Sequence, residues 1–406
     1  MTKIYHFDSF WKRQEKYDLL NNTSFWEVDW KELELKEPYY FFVPKDFWLK
    51  EKYDEWFSIS EIFKDFNSWI QTKNDKLSIQ FTKKDLKNIV FNFQNLLEDE
   101  LAKKYDLKNT SWWNILDAKN DLKKNNIIYT DILYRPFDLR NSLFTWKSSW
   151  FIWRPREKES KYMLQDNLSL FTTRTVPWNQ EFNRVFVWKN ISEIHIISDQ
   201  TYFFPLYLYN QNSQKSFEGT SEKTPNFNFE IISKIEEKLK LKLNVDFTPE
   251  NLFDYIYAVL HSKNYRETYK EFLKIDFPKV PFDIEKETFF KMVKLWEELR
   301  SYHLLENPNL TPKNFITKYE VAWENLVEKV RFENEKVFIN DNQFFDWVSR
   351  DVWEFYIWGY MPAQKWLKDR KDRNLNYEDI IHYSKMILSL FETIRIMWKI
   401  EEVFEV

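Results

Sequence analysis

Cysteine is absent from this 406-residue chain, and glycine nearly so, with Gly219 and Gly359 the two present. Without thiols there is no disulfide, no thiolate zinc site and no cysteine nucleophile. Histidine is scarce as well. His6, His195, His261, His303 and His382 are scattered, with no HxxxH or HExxH spacing, and each reads as structural rather than as a metal ligand. No run of about eighteen apolar residues occurs, so no membrane-spanning helix is expected. The segment MTKIYHFDSFWKRQEKY is charged and lacks an apolar core, so no secretion signal is read and a cytoplasmic location is expected.

The glycine deficit is abnormal, because a chain this long would ordinarily hold about 28 glycines. Glycine accepts positive φ cheaply, and turns and helix C-caps depend on that. The chain carries 20 tryptophans instead. Several stand where turn chemistry asks for glycine: Trp69 after Asn67-Ser68, Trp146, Trp150 and Trp153 in TWKSSWFIW, and Trp358 directly before Gly359. A UGA codon read as glycine in the cell but written as tryptophan would produce this pattern. The other reading is an aromatic-rich chain with true tryptophans.

What is present is organised around Tyr134–Tyr209. Short apolar or β-branched runs alternate there with basic breaks about every ten residues, which predicts a twisted antiparallel sheet. From Tyr134 to Asn190 there are ten Lys or Arg against five Asp or Glu, while the whole chain stands at −4. A basic sheet in an acidic protein points to a local polyanion surface; the plain reading is a solvated strand face.

Along the chain, residues 1 to 66 mix charged helical runs with an aromatic segment, PYYFFVPKD, bracketed by Pro38 and Pro44 and read as a buried strand. Glu51–Phe66 reads as a short amphipathic helix, Asn67–Phe81 as a tight turn into a strand, and 83–125 as lysine-rich helix. Residues 210–228 are a polar linker. Helices are expected over 228–243, Thr248–Ser262 (Thr248 as N-cap and Pro249 at N1), 264–274 and Glu285–Leu305. Short strands follow over 316–340, and a long helix over Tyr377–Met397. The fold class is therefore α+β: a twisted antiparallel β-rich domain (67–215), then a mainly helical one (216–406), after a mixed N-terminal connecting segment (1–66).

No phosphate-cradling glycine loop and no G-x-S-x-G elbow occurs, even with glycine restored at tryptophan positions. The acids form no paired constellation. A nuclease would need a metal-binding acidic cluster with a lysine, and none is visible, so no catalytic site is read in this chain and no cofactor is assigned to it. The basic residues carry more. Arg140, Arg154, Arg156, Arg174 and Arg184 in the sheet region can grip phosphate or read guanine. Lys365, Lys368, Arg370, Lys371 and Arg373 surround Asp369 and Asp372, a surplus of three positive charges in nine residues; the alternative is a solvated helix end. Arg135 and Asp138 in YRPFD read as a structural ion pair pinning the turn at Pro136.

YRPFDLR, FIWRPRE, the NLSL strand, FVWKNISEIHIIS and FPLYLY together resemble the C-terminal specificity region of Type ISP restriction–modification enzymes and related adenine-specific DNA methyltransferases. The resemblance continues through TPENLFDYIYAVLHSKNYRETYKEFLKIDFPKVPF and LRSYHLLE to YIWGYMPAQKWLKDRKDRNLNYEDIIHY, nearly the whole chain. The family pattern has glycine at Trp69, Trp146, Trp150 and Trp358, and tryptophan at Trp353 and Trp366. The family's NPPY-type motif and S-adenosylmethionine glycine motif are absent. NPNL at Asn307 lacks the second proline and the aromatic. The resemblance thus implies the target-recognition part of an N6-adenine methyltransferase, a truncated or split product whose S-adenosylmethionine-binding domain lies elsewhere, in cis or on a separate chain. Its partner would be double-stranded DNA, gripped here while an adenine is flipped into that other domain. No membrane partner is expected. The competing reading from a different class is an aromatic-rich carbohydrate-binding or scaffold protein, with tryptophan faces stacking on sugars.

Overall fold

The computed structural model describes residues 3–9, 12–35, 40, 42, 47–148, 151–177, 180–196, 201–209, 223–320, 324–357 and 359–404. The chain separates into two units, Met1–Trp56 and Phe57–Val406. In the first, β1 (Tyr5–His6) pairs antiparallel with β2 (Lys31–Glu32) across α1 (Arg13–Asn22), and α2 (Phe47–Asp54) follows. Helix α1 buries no residue, as its run of charged and polar side chains dictates. Apart from residues 40 and 42, the segment expected as a buried strand between Pro38 and Pro44 lies outside the described residues.

The second unit opens with β3 (Phe57–Ser58), α3 (Ile59–Ile62), β4 (Asn67–Ser68) and α4 (Asp75–Ser78). The single helix expected over Glu51–Phe66 is therefore two helices with a strand between. Ser58 caps α3 in a capping box with Glu61 and so starts a new helix. Next come α5 (Lys83–Asn95), α6 (Glu98–Tyr105) and α7 (Ile115–Lys124), where the lysine-rich region was read as helix. Thr82 caps α5 and Asn114 caps α7, each accepting from the backbone three residues on.

Strands β5 (Ile128–Arg135) and β6 (Asp138–Phe144) form a hairpin, followed by α8 (Glu157–Tyr162), β7 (Ser169–Thr173), β8 (Val185–Trp188), β9 (Ile191–Ser192), β10 (Thr201–Pro205) and β11 (Tyr207–Tyr209). They do not make the single antiparallel sheet that their spacing predicts. One sheet runs β4-β10-β7-β8, all antiparallel. A second runs β6-β5-β9, its β5–β9 pair parallel, and β11 joins neither but pairs antiparallel with Lys223–Pro225. Alternation of apolar and polar residues marks strands but is silent about which strand a short one pairs with, and β9 is two residues long. The hairpin turn places Phe137 at φ 63, a position where a type II turn ordinarily takes glycine. The cost is offset by burial, since the Phe137 ring packs edge-on against Phe186.

Then come β12 (Lys223–Pro225), α9 (Phe229–Leu239), α10 (Pro249–His261), α11 (Lys263–Thr268), β13 (Lys279–Val280) and α12 (Lys286–His303). Thr248 caps α10 and Pro249 opens it, as their order in the sequence requires. Strands β14 (Lys318–Tyr319), β15 (Arg331–Glu333), β16 (Lys336–Phe338) and β17 (Phe344–Asp346) form a small antiparallel sheet, and α13 (Arg350–Trp353), α14 (Pro362–Lys368) and α15 (Tyr377–Val403) close the chain. One hydrophobic cluster extends from Trp69 to Leu390, so the sheet-rich and C-terminal parts share a core. The fold is α+β. Among the described residues no helix is long and apolar enough to cross a membrane.

The tryptophans divide. Trp146 sits at φ 63 and Trp347 at φ 60, in the left-handed region that favours glycine. Trp69 does not: it is fully buried, stacked on Phe203 with centroids 3.8 Å apart. Its indole N–H is buried without an acceptor, as are those of Trp113, Trp146, Trp188, Trp296 and Trp366. Trp150 and Trp358 lie outside the described residues.

Candidate nucleic-acid interface

The segment from Asn67 to Phe81 links the two groups of basic residues. At its start, Gln71 and Arg154 exchange backbone hydrogen bonds of 3.1 and 3.0 Å, and the Arg156 guanidinium donates to Ser68 Oγ at 2.8 Å. At its end, Gln80 and Asn141 exchange backbone hydrogen bonds of 2.9 and 2.8 Å, and the Asn141 side chain donates to the Phe81 carbonyl. Around the Phe81 ring stand three guanidiniums: Arg373 at 3.7 Å, Arg140 at 4.2 Å and Arg370 at 5.1 Å from its centroid.

The first group lines an open polar groove of about 530 Å³ between Asn67, Trp146, Ser148 and the run Trp153–Glu159. Arg154 is exposed, and no carboxylate pairs with it among the described residues. Arg156 is half-buried at φ 50, and its Nε has no acceptor. Burial, and next the neighbouring Arg154, lower its pKa, yet a guanidinium stays charged at neutral pH. Glu157 opens α8 and is ion-paired with Lys161; Lys158 is paired with Asp65.

The second group is built on a buried ion-pair network. Asp138 accepts from Arg140 Nε at 3.0 Å and Nη2 at 2.6 Å, and from Arg370 Nη2 at 3.0 Å; Arg140 also reaches Asp369 at 3.3 Å. Burial raises the Asp138 carboxyl, but Arg370 and Arg140 outweigh it and hold the group below its ordinary value. Arg370 stacks 3.4 Å from the centroid of Trp366, and Arg140 lies 4.1 Å from Tyr134. Asp138 is thus held as a structural acid, but by Arg140 and Arg370. Arg135, expected as its partner, donates to the Tyr134 carbonyl and stacks between Tyr134 and Tyr360.

The ten cations read as candidate contacts therefore occupy three kinds of place. Arg140, Arg370 and Arg184 are buried, the last bonded to Gln180. Arg174 and Lys365 are ion-paired, to Asp276 at 2.8 Å and to Asp369 respectively. Arg154, Arg156, Lys368, Lys371 and Arg373 carry no ion pair among the described residues, and Lys368 and Lys371 are exposed. The sequence reading took Asn67–Phe81 as a tight turn into a strand, whereas the segment holds β4 and then α4, and it gave Phe81 no role beside the basic residues. The available signal was Phe81 standing directly before the Thr82 cap of α5, where an apolar residue often anchors the chain entering a helix. No cluster of metal-ligating side chains occurs among the described residues.

The sequence matches the Type ISP C-terminal specificity domain family over residues 61–399. With most of the chain matched, it belongs to that family: it is a Type ISP specificity domain. The fold recurs in the ATP-dependent Type ISP restriction–modification enzyme LlaBIII bound to DNA (TM-score 0.66, 17% identity, 93% of this chain and 26% of that one). It recurs in the DrdV–DNA complex (0.73, 17%, 99% and 44%) and in a nuclease-deletion mutant of the Type ISP enzyme LlaGI with a DNA substrate mimic (0.66, 17%, 99% and 39%). The chain thus spans less than half the length of each of these solved chains. No curated protein matches it by sequence.

Proposed function

We propose that this chain is the sequence-specific DNA-recognition part of a Type ISP restriction–modification enzyme acting as an N6-adenine methyltransferase. The observation that carries the reading is the set of five basic residues without ion pairs among the described residues, Arg154, Arg156, Lys368, Lys371 and Arg373, three of which (Arg154, Arg156 and Arg373) meet the Asn67–Phe81 segment, in a Type ISP specificity domain. That the three similar solved structures are DNA complexes supports it.

In this reading the chain has one task, to hold and orient a duplex. The five cations neutralise phosphates and supply most of the affinity. Arg140, Arg184 and Arg370 are scaffold, because a buried guanidinium bonded to protein acceptors has no surface to offer. Arg174 and Lys365 reach DNA only by exchanging their carboxylates for phosphate. Base edges are read by side chains around the groove beside Arg154, and the adenine is flipped at a cost of a few kcal/mol into a domain outside this chain. S-adenosylmethionine belongs to that domain, and no chemical step is assigned to residues here. The location is cytoplasmic, with DNA as partner.

Selection of bound duplexes from a randomised pool tests this. A short asymmetric sequence is enriched if the reading is right. Uniform recovery of all sequences, or methyl transfer by the chain alone, overturns it.

A further inference from the structure

We infer that Phe81 is a positioning residue for the DNA interface: its ring fixes the Arg373 guanidinium on the surface so that its outer edge meets a phosphate. The inference rests on the DNA-recognition reading and adds a residue and a division of labour to it.

Phe81 is pinned on both sides. Its carbonyl accepts from Asn141 Nδ2 at 3.1 Å, the preceding Gln80 is bridged to Asn141 through two backbone hydrogen bonds, and the following Thr82 caps α5. One part of the ring lies against Arg140 and Arg370, which the buried Asp138 holds. Arg373 also lies against it, 3.7 Å from the centroid. The backbone of Arg373 is fixed as well: its N–H donates to the Arg370 carbonyl at 3.1 Å, and its carbonyl accepts from Val327 at 2.9 Å.

The Arg373 side chain differs from its two neighbours at the ring. Arg140 and Arg370 donate to Asp138, and in addition to Asp369 and the Trp366 carbonyl respectively, whereas no protein acceptor engages the Arg373 guanidinium among the described residues. A guanidinium stacked on an aromatic face keeps its in-plane donors free for a planar or tetrahedral oxyanion. Holding it there removes rotamer freedom before binding rather than during it. Lys368 and Lys371, on the same turn, add positive charge without comparable fixation.

The test compares Phe81→Leu, Phe81→Ala, Arg373→Gln and the Phe81→Leu/Arg373→Gln double variant in the full chain. Each is titrated with a mixed-sequence duplex over a range of salt. Phe81→Leu keeps apolar bulk while removing the ring face, so folding is preserved if alanine fails. Arg373→Gln lowers the slope of log affinity against log salt by about one, the loss of one phosphate contact. Phe81→Leu reproduces much of that loss, and the double variant loses no more than Arg373→Gln alone. A merely structural phenylalanine would lower unfolding stability and leave the slope unchanged. An unchanged slope in Phe81→Leu, or additive losses in the double variant, overturns the inference while leaving DNA recognition standing. Failure of the unaltered chain to bind any duplex overturns both.

Discussion

Replacing Asp138 with asparagine removes the one carboxylate that lies between Arg140 and Arg370. Asp138 is 1% exposed and the two arginines 9% and 5%. Truncating one partner of a buried ion pair costs about 3–5 kcal/mol, because charge is left in a poorly solvated site. Arg140 retains Asp369 at 3.3 Å, and Arg370 retains Asp379 at 3.8 Å and its stack on Trp366, so the lower end of that range, about 3 kcal/mol, is expected. The control is Asp276→Asn. Its partner Arg174 and the acid itself have more than half of their side chains exposed, and such a pair contributes about 0–1 kcal/mol. Urea unfolding followed by tryptophan fluorescence measures both. The Asp138 carboxyl has a folded pKa below its unfolded value, so its contribution is complete above about pH 4 and is lost as pH falls through the folded value. The difference between Asp138→Asn and the unaltered chain should therefore be constant from about pH 5 to about pH 7 and shrink only in acid. Equal losses for Asp138→Asn and Asp276→Asn at neutral pH would refute the argument that burial makes this network essential to the fold.

Asp254 gives the opposite pH dependence: burial, opposed by Arg300, pushes its pKa up to about 6, so the folded state holds a proton that the unfolded state releases. Stability should fall as pH rises from about 4 to about 6, and Asp254→Asn should flatten that decline in pH-dependent urea unfolding. Thr248→Ala removes the cap that accepts from Asn251 N at 3.2 Å and should cost about 1 kcal/mol, read from the unfolding midpoint, with Thr248→Ser close to neutral. Peptide mass spectrometry of the chain from its source cells should find glycine at positions 146 and 347, where φ is 63 and 60, and tryptophan at 353 and 366; tryptophan at all four would refute recoding.

Helices were the most legible part of the sequence, because their signals are local. Thr248-Pro249 announces its helix through a side chain that bonds a few residues away, while the caps Thr82 and Asn114 passed unread and the stretch 83–125, taken as one helical run, is three helices. Sheet pairing was not legible. Nothing in Ile191-Ser192 says that it joins β5 in parallel, because that choice is made by residues far off in the chain. The basic residues were visible, but their roles were not. Arg370 and Arg373 stand three apart in one charged run, and only the approach of Asp138 and Phe81, from elsewhere in the chain, separates a buried anchor from an open guanidinium. Trp146 carries a related lesson. Its unusual backbone was anticipated from glycine scarcity, whereas Trp347, in the same conformation directly after Asp346, was not singled out although Asp followed by glycine is itself a turn signal.

A duplex gripped by five cations should be released steeply as salt rises, which the affinity of the unaltered chain for duplex DNA across a salt series measures. Five phosphate contacts predict a log–log slope of about −4.5. A slope flatter than about −1, or no binding at low salt, would contradict it.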